Sequence, residues 1–556
     1  MRLSRFLLIA VIAATVLCSC GPRRGVVQVK IVSSAGIHGR IYADDPVTGE
    51  RREGSAARLA AFLKDLRGSS DNVVYIDAGD FMRGSAETYH DRSAVFEKTD
   101  LCALALNTLG CDATVPGDMD FATGGQQIFD FYSGCNAAVL CANMGFENYG
   151  DYLPPYVTLV EHGVRISVIG LTCSPMSAYI PQDIISDMAF CDPVEAAAHW
   201  MPVIMEKENP DVIVGVLHDG SASRLALEVP GFDLIIDGTS GQNSTVVTPQ
   251  GDTVLIVSPL PDLNGVSLAS VTVDFTGNEP LVGISAETAS LLQLEPDAGF
   301  EAELSSRRNL LDAWLDSTLG TLGTDIDCIG SCWRPSTGAG IVHKYQMRHH
   351  AAQISIAAAS APGLYMESGE FKARDAFRLF PDEVNMVSVN MRGSEVISIL
   401  EYSADRHFNT VGSSADRLLK SDAAAAGTGM LSAAGIDYTI DITKPYGQRI
   451  SVISMSDGGK FDPDKEYRTT MPSNLFCPEL SPLSGVPGLD IAGLQRRLNT
   501  SARADMRYHL ISDMFVISEN RASLTVTGNG NWRLVPEDLA ARCLARDTLA
   551  IYNSNR

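Results

Sequence analysis

Positive charge is scarce in this 556-residue chain: 43 lysines and arginines stand against 67 aspartates and glutamates, a formal balance of −24 at pH 7. So acidic a surface repels phosphodiester backbones and anionic headgroups, which excludes a general nucleic-acid or basic membrane-binding role. Any phosphate site has to be local, built where a bound cation reverses the sign. Paired C-x-x-C spacing is also missing, so the cysteines do not form a zinc ribbon. Beyond the first twenty residues no apolar run is long enough to span a bilayer, and no internal repeat is visible. What remains is a globular composition in a chain too long for one core, and two domains are expected.

The N-terminus does carry an apolar run. Arg2 and Arg5 precede Phe6 to Val16, and Leu17-Cys18-Ser19-Cys20 follows. The run is too short for a mature transmembrane helix and reads as an export signal. Small residues ahead of a cysteine resemble the bacterial lipoprotein cleavage box, which implies a signal peptide over 1–19 and a mature chain lipidated at Cys20. The protein is then expected on the periplasmic side of a membrane or at the cell surface. Without Cys18 and Cys20, ten of the twelve cysteines remain in an exported chain, where disulfides can form. Cys135 and Cys141, and Cys328 and Cys332, are close in sequence, as buried thiols or local disulfides rather than metal ligands.

From Val27 onward, apolar runs of four to eight residues alternate with helical patterns: "VVQVKIVSS", "NVVYIDAGD", "AAVLCANM", "RISVIGLT", "DVIVGVLHDG", "FDLIIDG". Four of the six end in Gly, Asp or Ser, as buried strands do when their C-terminal loops carry polar groups. The segment "AGFEAELSSRRNLLDAWLDSTLG" spaces Leu304, Leu311, Leu315 and Leu319 as a helix bridging two domains. Beyond it, "QISIAAAS", "MVSVNMRG", "IDYTIDIT" and "RISVISMSDGG" read as strands and "SEVISILEYSAD" as an amphipathic helix, while Ser421 to Gly435 reads as a loop. His349 and His350, read as strand residues, would point to opposite faces and receive no role.

The strand-end loops of the first half hold His38 in "SSAGIHGR", Asp77 and Asp80 in "DAGDFMRGS", Asp118 and Met119 in "VPGDMDF", His218 in "VLHDG", and "GTSG" from Gly238. Carboxylates and imidazoles converging at the ends of parallel strands make a divalent-metal site. In order and spacing these loops resemble the calcineurin-like metallophosphoesterase domain of bacterial 5'-nucleotidases and 2',3'-cyclic-nucleotide phosphodiesterases. "ESGEFKARDAFRLFPDEVNMVSVNMRGSEVISILEYSAD", "GIDYTIDITKPYGQRI" and "GNGNW" are similar to that family's C-terminal nucleotidase domain. The resemblance implies an α/β fold: a four-layer αββα metallophosphoesterase domain over 26–295, a linker helix over 296–325, and a mixed α/β nucleotidase-type domain over 326–556.

In that family two ions about 3.5–4 Å apart polarise the phosphoryl group and activate water. Carried over position by position, the bridging aspartate is Asp80. One ion's other ligands fall at Gly36, His38 and Gly241, where only His38 survives. The second ion's fall at Asp118, His218 and Thr239. The resemblance therefore implies a divalent metal, Mn, Zn or another, at His38, Asp80, Asp118 and His218, with at most one ion held. The family's leaving-group acid is a histidine at the position of Met119, whose thioether carries no proton and is a poor ligand for a hard cation. No catalytic acid is then present, and loss of such an acid costs ~10²–10⁴ in rate. The nucleotide-gripping run is replaced by "AAASAPGLY" at Ala357 to Tyr365, and Phe380-Pro381-Asp382-Glu383-Val384 departs from the family's pattern. Tyr438 and Phe476 are the candidates for aromatic residues that hold a base. The expectation is a catalytically degenerate nucleotidase-type lipoprotein with a binding or interaction role. A slow mononuclear phosphoesterase is the alternative, in either case with a nucleotide or phosphoester ligand and no nucleic acid.

Overall fold

The computed structural model describes residues 25–93, 100–146, 153–420, 429–528 and 530–554. The export signal with Cys20, and residues 421–428 of the expected loop, lie outside the described residues. Strand Val26–Ser34 runs parallel to Val73–Asp77, with Ser34 opposite Asp77, and the short strands Ala113–Thr114 and Ala138–Val139 continue that sheet. The long antiparallel pair Gly265–Asp274 and Leu281–Ser290 completes its other edge. A second sheet holds Tyr156–Glu161, Val164–Thr172, Val212–His218, Leu234–Asp237, Thr253–Val257 and Ser244–Val247 in that spatial order.

The two sheets meet face to face through fully buried aliphatic residues, among them Val74, Ile76, Val168, Val214, Val216 and Ile236. Buried on both faces, such strands read as continuous apolar runs rather than as alternation. Helices Ala56–Ser69 and Leu101–Leu109 cover the outside of the first sheet. Helices Pro193–Glu208 and Ala222–Glu228 cover the second. Their starts follow capping chemistry: Ser55, Asp100 and Asp192 each accept backbone N–H groups of the first turn. The result is the four-layer αββα arrangement.

The bridging segment forms helices Ala298–Glu303 and Ser305–Leu315, and strand Thr318–Leu322 follows at once. Leu319 therefore lies on a strand, not on the helical stripe expected of it. The C-terminal half builds a five-stranded sheet in the order Ser432–Ala434, Ile354–Ala357, Glu466–Pro472, Asn385–Arg392, Leu498–Asp505, beside a three-stranded one. Helix Gly393–His407 is the amphipathic helix read from the sequence. His349 and His350 close helix Thr337–His350, not a strand, because Ser336 caps that helix and Ala351 ends it in the left-handed region. None of the ten described cysteines is joined in a disulfide, and most of them are buried.

A buried cluster of charges joins the two halves. The Glu383 carboxylate lies 2.9 Å from Arg83 Nε, 2.5 Å from Arg92 Nη2 and 3.2 Å from Arg507 Nη2. It also accepts the Gly84 backbone N–H at 3.3 Å. Arg507 pairs with Asp505, and its guanidinium sits 5.0 Å from the ring centres of both Tyr89 and Phe377. Burial opposes the charge on Glu383, yet the surrounding arginines outweigh it and hold the carboxyl well below the usual carboxylate range. Arg83 is three residues from Asp80, so this cluster also anchors the loop that carries the site.

Candidate metal centre

Three strand-end loops converge at the C-terminal edge of the stacked sheets, where α/β proteins bind ligands. The ligand atoms of Asp80, Asp118 and His218 lie within 4.8 Å of one another, and all three residues are buried. His218 Nε2 faces Asp80 Oδ2 at 3.2 Å and Asp118 Oδ1 at 3.3 Å. Its Nδ1 is 2.5 Å from the Ala78 carbonyl oxygen, and a ring that donates there turns Nε2 to the carboxylates as a ligand atom. Burial disfavours charge on His218, but Asp80 and Asp118 overcome it and raise the imidazole well above its ordinary range. Two carboxylates and an oriented imidazole are a donor set that one divalent cation fits.

The loop geometry is held by backbone amides. Asp80 adopts φ 60°, a left-handed conformation that costs a side-chain-bearing residue roughly 1–2 kcal/mol. Asp120 stabilises it, accepting the N–H groups of Asp80 at 3.0 Å, Met82 at 2.7 Å and Gly117 at 2.9 Å. In turn Asp80 Oδ1 accepts the Met119 N–H at 3.0 Å. Burial, then the Asp80 charge, raise the Asp120 carboxyl to about 7. Two glycines make the approach possible: a Cβ at Gly117 would stand 2.2 Å from Asp80 Oδ1, and one at Gly238 would stand 2.5 Å from His218 Nδ1. Asp120, Gly117 and Gly238 carry no sequence signal as supports beyond their closeness to the candidate ligands.

Of the four residues expected to bind metal, three come together and His38 does not join them. It stays next to the site all the same: its backbone N–H donates to the Asp80 carbonyl at 2.8 Å, and its ring lies over Gly36, where a Cβ would be 3.3 Å from His38 Nε2. Asp77 is a structural residue, accepting from Ser34 Oγ at 2.6 Å and Thr114 Oγ1 at 3.3 Å, and burial raises its carboxyl to about 6. The Thr239 hydroxyl donates to Asp237 at 2.8 Å, and the Gly241 N–H donates to Ser258 at 2.7 Å. Met119 packs half-buried against the helical layer. Tyr438 and Phe476 correct the expectation of a base sandwich: each is 1 % exposed inside the C-terminal core, and Tyr438 stacks on Trp532. A cavity of about 270 Å³ lies instead among Ala358, Ser360, Pro362, Phe380, Asp382 and Leu475.

The C-terminal half closes over this edge. The Glu479 N–H donates to the Ala178 carbonyl at 3.2 Å, and the Ser501 N–H donates to Asp183 at 2.6 Å. Residues 312–476 match the model of the 5'-nucleotidase C-terminal domain. Over 479 residues the chain is 21% identical to the endonuclease YhcR of Bacillus subtilis, covering 80% of this chain and 37% of that protein. Over 221 residues it is 26% identical to the 5'-nucleotidase of Vibrio cholerae, covering 38% of each. The chain thus spans under two fifths of the length of these curated relatives. The crystal structure of a 5'-nucleotidase precursor from Thermus thermophilus superposes with a TM-score of 0.57 at 18% identity, over 92% of this chain and all of that one. Residues 312–476 thus carry the 5'-nucleotidase C-terminal domain, and the four-layer domain with its convergent carboxylate–imidazole edge completes a fold similar to that of two-domain 5'-nucleotidases.

Proposed function

We propose that this protein is an exported, lipid-anchored nucleotidase-family member that holds at most one divalent cation and binds a nucleotide or phosphoester without hydrolysing it efficiently. The observation that carries this reading is the state of the family's other ligand positions and of its acid position. Gly36 and Gly241 offer no side chain, the Thr239 hydroxyl is engaged by Asp237, and Met119 stands where an acid is needed. Asp80, Asp118 and His218 remain to hold the cation, which when bound supplies positive charge for a phosphoryl oxygen and acidifies a coordinated water. Asp80 and Asp118 are the oxygen donors, His218 the nitrogen donor, and Asp120 keeps Asp80 in place.

Elemental mass spectrometry after incubation with Mn²⁺ or Zn²⁺ and desalting is expected to return about one ion per chain, lost in His218→Ala, with negligible turnover of nucleoside monophosphates. Two ions per chain, or brisk metal-dependent hydrolysis abolished by His218→Ala, would overturn the reading. The three converging donors favour a second reading, a slow mononuclear phosphoesterase, since three protein ligands with an open position are how a catalytic zinc is held. It predicts His218-dependent cleavage of aryl phosphodiesters, whose leaving group needs no acid, while alkyl esters stay intact.

The anchor has its own test. Metabolic labelling with a fatty-acid analogue is expected to mark the wild-type chain and not Cys20→Ala, which should leave the membrane fraction. Equal labelling of both would refute lipidation at Cys20.

A further inference from the structure

Away from that centre, three imidazoles meet where the end of helix Thr337–His350 packs against the start of helix Met506–Glu519. The His349 ring centroid lies 4.8 Å from that of His350 and 4.5 Å from that of His509. Imidazoles that share one tetrahedral ion, with metal–nitrogen bonds of about 2.0–2.1 Å, have ring centroids roughly 5 Å apart, so the spacing is close to that of a shared ligand site.

The hydrogen bonding is more telling than the spacing. His350 is 5 % exposed, and its Nε2 is buried with no hydrogen-bond partner; His509 Nε2 is likewise buried and unpartnered. Buried ring nitrogens ordinarily find a partner, and two orphans beside a third histidine are not accounted for by packing. The His350 ring is also hydrogen-bonded to the Met386 backbone. With Nε2 orphaned, that bond falls to Nδ1, and an Nδ1–H donated to a carbonyl fixes the tautomer whose Nε2 lone pair is free to ligate.

Charge around the trio keeps the rings neutral, the form a metal needs. Burial, then His349, His509 and Arg468, push His350 down to about 4, against the Met386 bond. Burial lowers His349 as well. His509 is lowered by burial, His349 and Arg348, against Asp505 and Asp513. Arg348 is itself held by Asp513 at 2.6 Å, which draws its charge away from the rings.

We infer that His349, His350 and His509 form a second cation site, for a borderline divalent ion of the zinc, nickel or copper class. Among the described residues only Asp80, Asp118 and His218 already have their donor atoms within 4.8 Å, and both ring contacts of the trio run through the exposed His349, so the site closes when the His350 and His509 rings also turn toward it. Three imidazoles select nickel, copper or zinc over manganese and magnesium, which distinguishes this site from the carboxylate-rich edge.

The test is calorimetric titration of the full chain, free of any polyhistidine tag, carrying His218→Ala to remove the first centre. It is expected to bind one Ni²⁺ and no Mn²⁺. Adding His349→Ala, an exposed substitution that leaves the fold intact, is expected to weaken Ni²⁺ binding by more than the ~10–100-fold cost of losing a supporting partner. The electron paramagnetic resonance spectrum of added Cu²⁺ is expected to show nitrogen couplings in His218→Ala that decrease in number with His349→Ala. No uptake of Ni²⁺ by His218→Ala, or an affinity indifferent to His349→Ala, would overturn the site.

Discussion

Glu383→Ala is expected to be the most destabilising single substitution in this protein, by about 3–5 kcal/mol, the range found when one partner of a buried ion pair is removed. Its carboxylate faces Arg83, Arg92 and Arg507, all largely excluded from water. Without it, three guanidinium charges share that space with the Asp505 carboxylate. Glu383→Gln keeps the shape and removes the charge, so it should fall between wild type and alanine. Urea unfolding followed by fluorescence measures both, and unchanged midpoints would show that the cluster does not hold the two halves together. The change should also reach the metal edge, because Glu383 grips Arg83 and Gly84 just past Asp80. Weaker cation binding in Glu383→Gln, with Mn²⁺ as the probe, is the accompanying expectation.

Gly117→Ala is expected to abolish cation binding at the Asp80 edge. The added methyl would sit 2.2 Å from Asp80 Oδ1 and 2.6 Å from the Asp80 backbone nitrogen. Neither can yield without breaking the Asp120 contacts that hold Asp80 at φ 60°. Gly68→Ala is the comparison: this helical glycine has nothing within 4 Å of the new carbon, and alanine there should be neutral or stabilising by roughly 0.5–1 kcal/mol. Metal content per chain and thermal midpoint separate the two. An ion retained by Gly117→Ala would mean that the loop relaxes and that Asp80 is not held by this contact.

The apolar runs determined the strands, since a sheet buried on both faces needs unbroken aliphatic sequence, and "DVIVGVLHDG" became the strand Val212–His218 that ends on the candidate ligand. Asp80 and His218 were legible for the same reason, since each stands at the end of such a run and parallel strands bring their C-terminal ends to one edge, whereas Asp118 follows only the two-residue strand Ala113–Thr114 and was read from the resemblance of its loop. Local backbone geometry was not legible. The turn that folds His38 over Gly36 leaves no mark on composition, and the helix holding His349 and His350 hinges on a serine cap thirteen residues before His349.

Aromatic identity alone did not tell a ligand-facing ring from a core ring, so Tyr438 and Phe476 became visible as core only once their neighbours were in place. The link between Arg83 and Glu383 spans 300 residues, and its partners were chosen by how the two halves dock. Sequence by itself thus determined which segments form the sheets and which polar groups stand at their ends, because burial acts along the chain. Only the tertiary structure decided which of those groups meet, since distance between side chains depends on turns, caps and domain docking that no local pattern encodes.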